Sequence, residues 1–105
     1  MTGLLLDFAP PAWEVYQRER ADELGARIRL ELQRLADDPE AVRADPRSRR
    51  YQIVEDALRD KPEVWGTPVD GPDGSSWMVV WRRTERVVEI GYIGPAAAAA
   101  GDPVG

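Results

Sequence analysis

The sequence predicts a two-layer α+β domain: a short N-terminal strand and two or three helices packed on a C-terminal antiparallel β-meander. Three observations carry this. Residues 12–36 hold apolar side chains at helical spacing, the period drops to two after Val64, and Gly71-Pro-Asp-Gly74 marks a turn between two of the later strands. At 105 residues the chain fits one domain, placed at residues 1–95, with 96–105 as an Ala/Gly/Pro-rich tail lacking regular structure.

The elements follow in order. Leu4 to Phe8 is a short apolar segment that reads as a strand, and Pro10-Pro11 ends it. Pro11 suits the first turn of a helix, where its missing N–H costs little. Trp13, Tyr16, Leu24, Ile28, Leu32 and Leu35 then form an apolar stripe, while charged residues occupy the opposite face, with Arg18/Asp22 and Arg27/Glu31 as i,i+4 pairs. Gly25 interrupts the run, so residues 12–36 read either as two helices or as one kinked near Ala21 to Gly25. Asp37-Asp38-Pro39 ends it. Glu40 to Arg50 has no strong apolar face and reads as a surface connector holding at most a helical turn. Asp45-Pro46 then looks like an N-cap followed by proline, opening a further helix along Tyr51, Val54, Ala57 and Leu58 that Lys61-Pro62 closes.

From Val64 to Val69 a strand is expected, kept near a sheet edge by Pro68. Trp77, Val79 and Trp81 alternate with Met78, Val80 and Arg82 in the next strand. In the last one Val88, Ile90 and Tyr92 share one face, and Val87, Glu89 and Ile93 the other. The four residues Arg83 to Arg86 connect these strands, and Gly94-Pro95 stops the sheet. Trp65, Trp77 and Trp81 all lie in the sheet, where they serve packing, each indole N–H reaching a partner.

Composition narrows the chemistry. The 43% hydrophobic and 31% charged content fits a globular chain, and no window holds the ~20 apolar residues of a membrane span. The opening Met1 to Asp7 has neither the basic region nor the apolar length of a signal peptide, so the expected location is cytoplasmic. With no cysteine and no histidine, thiolate zinc sites, cysteine nucleophiles and serine–histidine triads are excluded. The acidic clusters Asp37-Asp38 with Glu40, and Asp70 with Asp73, lack oxygen-ligand spacing and read as caps and turns. No P-loop or dinucleotide-binding pattern is present. No cofactor and no metal is therefore expected. The net charge of −5 opposes general affinity for nucleic acid, although Lys61 is the sole lysine and every other basic residue is arginine, suited to bidentate grip on phosphate or carboxylate.

The hairpin Trp77-Met-Val-Val-Trp-Arg82-Arg83 followed by Arg86-Val-Val-Glu-Ile-Gly-Tyr-Ile93, after a strand and helices ending Leu32-Gln-Arg-Leu-Ala-Asp-Asp-Pro39, resembles the RelE/ParE superfamily of bacterial toxin–antitoxin toxins. The resemblance covers Leu4 to Gly94 and is specific in residues 64–94. It implies a toxin-family protein of a toxin–antitoxin pair, either an mRNA-cleaving ribonuclease or an inactive relative. A cognate antitoxin is the implied partner, with RNA or the ribosome as target. The family's basic–aromatic set maps onto Arg82, Arg86 and Tyr92. The acidic charge, the long segment from Glu40 to Pro62 and the missing basic C-terminal tail depart from the family pattern. Read as a ribonuclease, Arg82 and Arg86 would clamp the scissile phosphate, and Tyr92 or Glu89 would move protons. Strand alternation sends Arg82 and Arg83 to opposite faces, which weakens such a cluster. The alternative is a non-catalytic protein-interaction module, accepting a strand at the open edge of Val64 to Val69 or forming a homodimer through the Trp13–Leu35 face.

Overall fold

In the computed structural model, which describes residues 4–52, 64–96 and 102–104, the chain runs β1 (Leu5–Phe8), α1 (Pro10–Glu19), α2 (Glu23–Asp37), α3 (Pro39–Ala44), β2 (Arg49–Gln52), β3 (Val64–Asp70), β4 (Ser76–Arg83), β5 (Val87–Pro95) and β6 (Asp102–Val104). The strands make one six-stranded sheet in the order β1-β5-β4-β3-β2-β6. All neighbours are antiparallel except β1, which runs parallel to β5. The α+β class holds, but the sheet is mixed rather than the simple antiparallel meander the sequence led us to expect. A parallel pair needs a long crossover, and the helical segment between β1 and β5 supplies it.

Two helices, not one kinked helix, fill the first half. Asp22 has the extended backbone of an N-cap, and its N–H bonds the Glu19 carbonyl at 3.0 Å, so the chain turns between α1 and α2. Gly25 explains the tightness of that junction. A Cβ there would overlap the Glu19 carbonyl and the Arg20 Cα, so only glycine lets α2 start against the end of α1. Asp38 caps α3, accepting from the Ala41 N–H at 3.2 Å, and Pro39 takes the first helical position.

The helix expected from Asp45 onward is overturned where the chain is described. Asp45 is the C-cap of α3, and Arg49 to Gln52, including Tyr51, pair antiparallel with β3 and β6. Tertiary pairing overrides local propensity there. Val54, Ala57, Leu58 and Lys61-Pro62 lie outside the described residues. Of the expected tail, Ala96 follows β5 and Asp102–Val104 join β2; residues 97–101 and 105 also lie outside the described set. β5 itself runs through Gly94 to Pro95.

The main core lies between the helices and one face of the sheet. Ala12, Leu24, Ile28, Leu32, Leu35 and Val42 meet Val69, Val79, Trp81, Val88, Ile90 and Ile93, all buried. Full burial of each large aliphatic stabilises the fold by about 1.5–3 kcal/mol. A smaller cluster of Val64, Met78 and Val80, with Tyr92 and Ala96 packed on it, sits on the other face. This division corrects the expected faces of β5. Val80 is opposite Tyr92 and Trp81 opposite Ile90, so Gly91 is an extra residue and the pairing bulges there. Beyond the bulge the parity reverses: Ile93 joins Val88 and Ile90 under the helices, and Tyr92 turns to the far side.

β3 is not an edge strand, since β2 covers it. β2 pairs only with Val64 to Gly66, however, and Pro68 stands beyond that pairing, where no β2 residue needs its missing N–H. At the β3–β4 turn, Gly74 has φ 84°, a left-handed conformation that favours glycine. Trp81 donates its indole N–H to the Thr67 hydroxyl at 2.9 Å, and Thr67 in turn meets the Ser48 hydroxyl at 3.0 Å, satisfying the polar groups buried at the α3–β2 junction.

Candidate functional site

Arg82 and Tyr92 share the sheet face away from the helices, and Arg86 stands at the hairpin tip. Arg82 lies on the sheet face away from the helices and makes a close charge-assisted pair with Glu89, its register partner on β5. Each is about one-quarter to one-third exposed, at 23% and 33%, so water screens the pair only partly. The Arg82 guanidinium is therefore neutralised in place. Arg83 points the other way, toward Glu40 of α3 at 3.5 Å, and Glu40 also pairs with Arg43. The Arg43 guanidinium lies 6.0 Å from the Trp65 ring centroid, within cation–π range. Arg86 is exposed at the hairpin tip and makes no ion pair among the described residues; its carbonyl accepts the Leu5 N–H at 3.2 Å. Tyr92 lies beyond the bulge, donating its hydroxyl to the Pro95 carbonyl at 2.8 Å.

Two other places have features of a binding site. The first is the open edge of β1. Its other side borders only β5 among the described residues. The Leu5 N–H donates to the carbonyl of Arg86, just before β5, and the Ala9 N–H to that of Ile90 within it. Because alternate residues of a parallel strand address the same neighbour, the peptide groups of Leu6 and Phe8 point outward. Leu5 is 72% exposed and Trp13 is 44% exposed, and Trp13 meets Phe8 edge-on and Tyr16 at a tilt, at centroid distances of 5.1 and 5.9 Å. Trp13, placed on the apolar stripe by its spacing, thus stands at the rim of the core.

The second is a cleft of about 200 Å³ between α2, the α3–β2 loop and the far half of β3. Glu31 opens onto it while being only 8% exposed. Its carboxylate accepts Arg34 at 2.7 and 3.2 Å. Burial raises its pKa above the usual 4.5; Arg34 opposes that shift without cancelling it. The expected Arg27/Glu31 pair does not form. Arg27 instead contacts Glu23 at 3.8 Å and donates to the Asp70 carbonyl at 2.9 Å. Arg18 likewise turns to Glu19, at 3.3 Å, rather than Asp22. Sequence reasoning missed Glu31, although a signal was there: it follows Ile28 by three residues and precedes Leu32 by one, placing a carboxylate beside the buried stripe.

Among the described residues no cluster of acidic side chains has the arrangement of a metal site, and no helix is long and apolar enough to cross a membrane. Comparison with family models, curated proteins and solved structures gives no match.

Proposed function

We propose that this chain is a non-catalytic protein-binding domain of RelE/ParE-like design, an inactive relative of those toxins rather than a ribonuclease. The observation that carries the reading is the open β1 edge, whose outward-facing peptide groups are flanked by exposed Leu5 on one face of the sheet and by Trp13 on the helix side. Such an edge adds an extended segment from a partner, with main-chain hydrogen bonds giving affinity and apolar contacts giving register. The partner is another protein with a basic extended segment. Asp7 on β1 is exposed, and a net charge of −5 repels a second copy.

Support for the toxin likeness comes from the order of strand, helices and antiparallel hairpin, and support for lost catalysis from the hairpin arginines. Cleavage of RNA through its 2′-hydroxyl needs free cations at the phosphorane and a base beside them. Arg82 is bound to Glu89, Arg83 faces the opposite side and Tyr92 donates to Pro95, so among the described residues Arg86 at the exposed tip is the one hairpin arginine outside an ion pair, a lone cation with no base beside it.

The experiment is induced expression of the chain alone and together with the product of the adjoining reading frame. Growth without arrest, plus a complex broken by Leu5→Lys or Trp13→Ala, is the expected result. Growth arrest that Arg82→Ala or Arg86→Ala abolishes would sink the non-catalytic reading.

A further inference from the structure

The two sides of the sheet are finished differently. At one side the four residues of β1 leave their outer peptide groups open. At the other, β2 is covered by the chain itself: Asp102, Pro103 and Val104 of β6 pair with Gln52, Tyr51 and Arg50. Among the described residues nothing pairs with the outer side of β6.

β6 has the marks of a strand that refuses a further neighbour. It is three residues long, its middle residue is a proline without an N–H, and its first residue is charged. β2 holds no proline, so without β6 its peptide groups on that side would be a free template for another strand. Charge favours the pairing that exists. β2 carries Arg49 and Arg50, and the register sets Asp102 diagonal to Arg50, where opposite signs attract. The hold is nevertheless weak. Ordering three residues costs backbone entropy, and β6 offers only two N–H donors in return.

We propose that Asp102–Val104 are a built-in strand ligand of the β2 edge, a releasable guard that closes this side of the sheet to strands from outside. An acidic extended segment gains β2 only by displacing β6. The guard is separate from the β1 edge and holds whether or not a partner binds there.

The test uses the full chain, which has no cysteine, so one pair can be introduced cleanly. Gln52 and Asp102 are register partners, and facing residues of an antiparallel pair lie about 4.5–5.5 Å apart between Cα atoms, within disulfide reach. Gln52→Cys with Asp102→Cys should close under mild oxidation into a bond within one chain. Val104→Pro removes another N–H from β6 and releases it. Asp102→Arg, which sets like charges diagonally, is the second releasing variant. The probe is a synthetic peptide of residues 100–105, followed by NMR at the Arg50 to Gln52 amides. Saturable shifts are expected in the released variants and none in the oxidised lock. Wild type should bind about tenfold more weakly than the released variants, since an edge filled about nine-tenths of the time by its own strand loses that factor in apparent affinity. Equal binding by wild type, lock and released variants, or no binding by either released variant, would overturn the guard. A disulfide that fails to close, or closes between copies, would do so as well. None of these readouts involves Leu5 or Trp13, so failure here leaves the β1 reading standing, and failure there leaves the guard.

Discussion

The β4–β5 hairpin and the α2/β3 cleft each bring three arginines close together, but the two sets behave in opposite ways. In the hairpin, alternation along the strand scatters the cations: Arg82 goes to Glu89 on one face, Arg83 to Glu40 on the other, and Arg86 to the exposed tip. In the cleft, residues distant in sequence converge on one volume, held in place by bonds to Glu31 and Asp70. Adjacent charges in a strand diverge, and charges from a helix, a loop and a strand end can meet. Clustering in sequence is thus a poor guide to clustering in space, and a carboxylate buried beside a cation is a better sign of a site.

The sharpest way to break this contrast is to remove the partner of the buried carboxylate. Arg34→Ala leaves Glu31 buried without its cation and should destabilise the fold by about 2–3 kcal/mol in urea denaturation. A loss no larger than that of an exposed pair would mean that Glu31 is better solvated than its burial implies. Next comes pH. Because burial raises the folded pKa of Glu31 above 4.5, its contribution to stability is full below that value and is lost as pH rises through the folded value. The stability of wild type relative to Glu31→Gln should therefore fall as pH rises from about 4.5; a difference that stays constant, or rises, contradicts the assignment. On the hairpin side, Arg82→Ala should cost about 1 kcal/mol, as expected of a partly exposed ion pair. Arg86→Ala, at the tip, should change stability by less than about 0.5 kcal/mol in the same assay.

Much of the architecture is legible in the sequence because it is written in local chemistry. Proline at the start of α1, the apolar stripe of α2 and the Gly71–Gly74 turn are each fixed by residues close together in the chain. What escaped is set by pairing across the chain. β2 is a strand because β3 and β6 flank it, although its own sequence, Arg-Arg-Tyr-Gln, has little strand character. The bulge at Gly91 exists only in the register between β4 and β5, and it alone decides that Ile93 rather than Tyr92 enters the main core. The candidate sites divide the same way. The hairpin arginines drew notice because they are neighbours in sequence, whereas Arg27, Arg34 and Arg47 become neighbours only once α2 has packed on β3.

The central claim is that Arg82 is committed to the fold and unavailable to a substrate phosphate, which a double-mutant cycle between Arg82 and Glu89 tests most directly. With Arg82→Ala, Glu89→Ala and the double variant measured by urea denaturation, a coupling of about 0.5–1 kcal/mol is predicted. Additive effects, with no coupling, would mean that Arg82 is held by nothing and would return the hairpin to consideration as a catalytic site.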